Sequence, residues 1–92
     1  MSTWQLVVAA SAERKLGQLP EKFAAAIVEF MLGPLLENPR KVGRPLQREL
    51  LGLYSARRGS YRVVFRLDEE ERRVVVLRID HRSDVYRPRS IP

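Results

Sequence analysis

The stretch that decides the fold is Leu53-Tyr54-Ser55-Ala56-Arg57-Arg58-Gly59-Ser60-Tyr61-Arg62-Val63-Val64-Phe65-Arg66-Leu67. Two β-rich runs, Leu53 to Arg57 and Tyr61 to Leu67, flank Arg58-Gly59-Ser60, and so short a glycine-bearing connection closes an antiparallel hairpin. Side chains alternate across a strand, so Tyr61, Val63, Phe65 and Leu67 share one face and Arg62, Val64, Arg66 and Asp68 the other. The tyrosine-led set meets helices, and the arginine-led set faces an open surface. In the preceding strand Ser55 and Arg57 share a face, and a register that pairs Arg57 near Arg62 across the short turn is expected. That pairing concentrates positive charge with no carboxylate to neutralise it.

Beyond the hairpin, Asp68-Glu69-Glu70-Glu71 forms an acidic turn. The run from Arg73 to Ile79 contains Val74-Val75-Val76-Leu77, an apolar strand covered on much of both faces. Before the hairpin, Arg40-Lys41-Val42-Gly43-Arg44-Pro45-Leu46-Gln47-Arg48 reads as a basic loop beside the sheet. Pro20 suits a helix start, and Phe23, Ile27, Phe30 and Met31 then recur at helical spacing, making one apolar stripe. Gly33-Pro34 kinks that helix, and Asn38-Pro39 stops it. At the N-terminal end, Trp4 to Val8 reads as a strand, with Ser11 as N-cap of a short helix over Ala12 to Gly17. The expected order is β-α-α-β-β-β plus a tail: an α+β fold, a small antiparallel sheet with two helices packed on one face.

At 92 residues the chain suits a single domain over 1–92 with one core, and its active site must be a shallow groove rather than a deep cleft. With 45% hydrophobic and 30% charged residues it is an ordinary globular composition. It has no cysteine and a single histidine, His81, which argues against disulfides and against a zinc site, so neither a metal nor a cofactor is expected. Residues 1–10 lack a basic leader with a long apolar run, so a cytoplasmic location is expected and a membrane partner is not. The net charge of +6 is unevenly placed: residues 1–39 hold three Lys/Arg and four Asp/Glu, residues 40–92 fourteen and seven. Arginine in such density on sheet-forming sequence fits a polyanionic partner, because guanidinium matches phosphate geometry.

The hairpin from Leu50 to Arg66, the apolar strand Val74-Val75-Val76-Leu77, and the tail His81-Arg82-Ser83-Asp84-Val85-Tyr86 together resemble the RelE branch of the RelE/ParE superfamily of toxin–antitoxin systems. The resemblance is strong over residues 50–87 and architectural before that. It implies a twisted antiparallel sheet with two N-terminal helices on one face, which the reading of the residues reaches independently. It also implies a toxin that enters the ribosomal decoding site and cleaves mRNA there, held in check by a cognate antitoxin in a hetero-oligomer. Arg62 matches the family's hairpin arginine, Arg82 the arginine of the tail and Tyr86 the tyrosine that closes it; Arg57 stands where a lysine of the catalytic face is found. Ser55 departs from the pattern, since a second lysine is common there. Arg58 and the loop cations Arg40, Lys41 and Arg44 are candidates for the missing charge and for RNA binding.

RNA is cut when its own 2′-hydroxyl attacks the adjacent phosphate, which requires a base, positive charge on the phosphorane and an acid for the leaving oxygen. Tyr86 is the candidate base, because neighbouring arginines favour its anionic form and lower a phenol pKa ordinarily about 10. Arg62 would clamp the phosphate and Arg82 act on the leaving group, with His81 the rival acid or base, or else a strand cap. Arg66, Arg72, Arg73 and Arg78 read as surface charge. Two other functions stay open: a ParE-like inhibitor of DNA gyrase, and an RNA-binding module without catalysis.

Overall fold

The computed structural model describes residues 4–81. The chain runs through β1 (Gln5–Val8), α1 (Ala10–Gln18) and α2 (Glu21–Phe30), then α3 (Pro39–Val42), β2 (Arg44–Pro45), β3 (Leu53–Arg58), β4 (Tyr61–Asp68) and β5 (Arg73–His81). The five strands form one sheet in the order β1-β5-β4-β3-β2. The β3–β4 and β4–β5 pairings are antiparallel, as expected; the two-residue β2, not expected as a strand, pairs antiparallel with β3, and the short β1 departs from the expected antiparallel sheet by adding to β5 in parallel. The α+β fold with helices against one sheet face is therefore observed.

The core lies between that sheet face and the helices. Ile27, Met31 and Leu35 from the helical layer meet Ala56, Val63, Phe65, Val74, Val76 and Ile79 from the strands, all nearly without solvent exposure. The expected alternation of β4 is thus realised: Val63 and Phe65 point into the core, and Arg62 and Val64 lie on the opposite face. Gly59 takes a positive φ of 62° at the tip of the two-residue β3–β4 turn, a conformation glycine adopts without Cβ strain. At Gly33-Pro34 the helix widens into a π-helical turn over Met31–Leu35, because Pro34 has no N–H to donate to the regular ladder.

Four details differ from the sequence reading. Phe23 does not join the buried stripe: it is 41% exposed, because it sits over the hairpin tip, where its ring packs 5.8 Å from that of Tyr61. Ser11 is not the N-cap of α1; Ala9 holds that position, with its N–H bound to Val76 O at 2.8 Å. The Ser11 hydroxyl instead donates to the carbonyl of Leu77 at 2.9 Å. Leu77 needs that partner because β4 and β5 slip register there: Val64 pairs Arg78 while Phe65 pairs Val76, leaving Leu77 as the extra residue of a bulge. The basic stretch after Asn38 is also more than a loop. Asn38 Oδ1 caps α3 by accepting the Lys41 N–H at 3.3 Å, Pro39 takes the first helical turn, and Arg44–Pro45 extends the sheet beside β3.

Candidate functional site

Register fixes which side chains share the open face. Directly opposed residues of an antiparallel pair point the same way. Arg57 pairs Arg62, and Arg62 pairs Asp80; one pleat along, Arg44 pairs Ser55, Ser55 pairs Val64, and Val64 pairs Arg78. Two rows of side chains, polar except for Val64, therefore cross the sheet on the face turned away from the helices. Between them runs a groove of about 440 Å³ lined by Val42, Arg44, Pro45, Leu46, Ser55, Arg57 and Arg62. Arg44 and Arg57 are exposed and Arg62 is half-buried, so the guanidinium groups of the first two are open to solvent while the third is held against the sheet.

Of the residues singled out from sequence, Arg44, Arg57 and Arg62 are brought together here. Arg58 and His81 are not. Both continue the core-facing row Ala56, Val63 and Ile79, and Arg58 pairs Tyr61, which pairs His81. Arg58 lines a surface cavity with Glu29, Phe30 and Pro34. The His81 ring meets the Tyr61 ring edge-on at 5.1 Å. Arg40 lies at the other end of the sheet, ion-paired to Glu69 and with its guanidinium 5.8 Å from the Trp4 ring. Arg72 covers the same indole at 4.0 Å. Lys41 is exposed on α3. Arg82 and Tyr86 lie outside the described residues.

Two features of the face were not read from the sequence. The first is a carboxylate: Asp80 sits across from Arg62, its side chain only 21% exposed, and its Oδ2 accepts from Arg78 Nη2 at 2.6 Å and Nε at 3.0 Å. The arginine row thus ends in an acid, and Arg78 is part of the face rather than isolated surface charge. The i, i+2 spacing of Arg78 and Asp80 on a strand was the available signal. The second is apolar. Leu46, Leu50, Leu53, Val64 and Leu77 line a cavity of about 190 Å³, with Ser55, Arg62, Arg78 and Asp80 completing its wall. It exists because the chain folds back over the sheet through the turn Arg48–Leu50, and because the bulge brings Leu77 onto the same face as Arg78.

Together, fold and groove define a small basic α+β protein whose open sheet face presents clustered guanidinium groups. A family model described as the ParE toxin of the type II toxin–antitoxin system parDE matches residues 6–86. The chain is 53% identical over 77 residues to Toxin RelG of Mycobacterium tuberculosis, covering 84% of this chain and 88% of that protein. It is 51% identical over 84 residues to Toxin RelE of the same organism, covering 91% and 87%. Among solved structures, the toxin–antitoxin complex RelBE2 of M. tuberculosis aligns with a TM-score of 0.83 at 48% identity, over 86% of this chain and 98% of that one. The intact Escherichia coli RelBE complex shares the fold at a TM-score of 0.69 and 21% identity, over 86% and 96%. This chain belongs to the RelE/ParE superfamily of toxins of type II toxin–antitoxin systems, and it is RelE-like.

Proposed function

We propose that this protein is an endoribonuclease of the RelE type, which cleaves mRNA in the ribosomal decoding site by attack of the RNA 2′-hydroxyl on its own phosphate. The observation that carries this reading is the convergence of Arg44, Arg57 and Arg62 on one groove of the open face. Such a cluster suits a dianionic phosphorane, since fixed guanidinium groups stabilise charge that develops in the transition state. Arg62 holds the scissile phosphate from its half-buried position, and Arg57, directly opposite, supplies the second contact. Tyr86 is the base and Arg82 the group at the leaving oxygen in this reading; His81, on the helix side, is left with a packing role. The ribosome supplies the remaining positioning.

Its partner is a cognate antitoxin, in a hetero-oligomer of the kind represented by the RelBE2 and RelBE complexes. The cytoplasm is where both partners and the ribosome meet.

The test is induced expression of the wild type, Arg62→Ala and Tyr86→Phe, with primer extension on a translated message. New 5′ ends within the reading frame, absent in both variants, support ribosome-dependent cleavage. Growth arrest with an intact message favours instead the ParE-type reading, inhibition of DNA gyrase, for which the family-model match speaks.

A further inference from the structure

The cavity beside the arginine groove is assigned no part in the cleavage chemistry, yet it shares two wall residues with the groove, Ser55 and Arg62. Its floor is aliphatic: Leu46, Leu50, Leu53, Val64 and Leu77. Its polar side is Asp80, most of whose side chain is buried and whose two bonds to Arg78 both use Oδ2. Val64, one of its lining residues, is two residues along β4 from Arg62, roughly 7 Å at the rise of a strand. A ribose spans that distance. A phosphate on Arg62 therefore leaves its attached base over the cavity.

From this juxtaposition we infer that the cavity is a nucleobase subsite of the RNA face and that Asp80 selects the base. The ligand class rests on the ribonuclease reading; the selection rests on the cavity itself. A flat base buries its faces against the leucines and Val64, as unstacked bases do in single-stranded recognition. Asp80, a carboxylate, only accepts hydrogen bonds, so it favours a base with an exocyclic amino donor over uracil, whose one donor on that edge, N3–H, is flanked by two carbonyl oxygens that the carboxylate repels. An apolar side chain of a protein partner would fill the same floor. The polar wall argues for RNA: Arg62 and Arg78 line the cavity against one acid, and Arg44 and Arg57 line the adjoining groove.

The experiment is a titration of the ¹⁵N-labelled full chain with cytidine 5′-monophosphate, uridine 5′-monophosphate and ribose 5-phosphate at constant ionic strength, for the wild type and Asp80→Asn. The amides of Val64, Leu77 and Arg78 are expected to shift with the cytidine nucleotide, with the uridine nucleotide about tenfold weaker, the worth of one charge-assisted hydrogen bond. Asp80→Asn, which offers uracil a donor, is expected to erase that difference while shifts at Arg57 and Arg62 persist. Three results overturn the inference: no shifts at the cavity with any nucleotide, equal shifts with ribose phosphate, or a preference unchanged in Asp80→Asn. The first, joined to loss of antitoxin binding in Leu50→Asp, would assign the cavity to a protein side chain. Because no cleavage is read, this titration fails independently of the ribonuclease reading, which stands or falls on the primer-extension result.

Discussion

At the scale of single residues, the sheet separates neighbours in sequence that resemble each other. Arg57 and Arg58 are adjacent arginines, yet one faces the groove with Arg62 and the other lies over the helical layer beside Glu29. His81 is separated from Asp80 in the same way. Arg58→Ala and His81→Gln are therefore expected to keep message cleavage within a few-fold of wild type, while Arg57→Ala loses at least tenfold, all measured by primer extension. Loss of cleavage in His81→Gln with Arg57→Ala intact would place the chemistry on the wrong face of β5. Gly43 illustrates a different constraint. Its φ is ordinary, but a Cβ there would stand 2.6 Å from Phe65 Cζ and 3.0 Å from the Pro39 carbonyl, and Phe65 is fully buried. Neither neighbour can yield freely, so Gly43→Ala is expected to cost about 1–3 kcal/mol in denaturant unfolding. The same shift would move Arg44, the next residue, off the groove.

At the scale of elements, the bulge in β5 and the edge formed by β2 shape the site, and they mark where sequence reading reached its limit. The hairpin was legible because its turn is short and its alternation clean: Arg57 and Arg62 stand close enough on either side of Arg58-Gly59-Ser60 to meet across it, although Arg58 belongs to β3 and pairs Tyr61 rather than lying in the turn. The slip at Leu77 was not legible. In Val74-Val75-Val76-Leu77 every side chain is aliphatic, so no alternation marks which residue is extra, and the carbonyl that betrays it is satisfied 66 residues away by Ser11. The groove wall at Arg44 was hidden for a similar reason, since a two-residue strand leaves no periodicity to read. The Asp80 carboxylate was visible as a residue, but its place opposite Arg62 depends on the register beyond the bulge. Ser11→Ala should test this coupling. It leaves the bulge carbonyl without its protein donor and is expected to cost about 1 kcal/mol, with amide shifts in Leu77 and Arg78 as the local signature.

At the scale of the whole molecule, the two layers differ in charge. Among the described residues, 4–39, mostly the helical layer, hold three Lys/Arg and four Asp/Glu, and 40–81, mostly the sheet and its loops, hold eleven and six. A polyanion is thus drawn toward the sheet and turned with its backbone to the open face before any contact forms. Contacts that neutralise phosphates release counterions, and for a single strand each contributes about −0.7 to the slope of log K against log salt. With Arg44, Arg57 and Arg62 each on a phosphate, the slope for a cleavage-resistant 2′-deoxy-substituted RNA is expected near −2, that is about three contacts. Arg57→Ala should then reduce it by about 0.7, whereas removing a cation of the helical layer, as in Lys22→Ala, should leave it unchanged although the net charge falls equally. Fluorescence anisotropy across a salt series reads both. An equal drop in the two variants would mean that RNA senses only the total charge, and the groove would lose its claim to be the docking face.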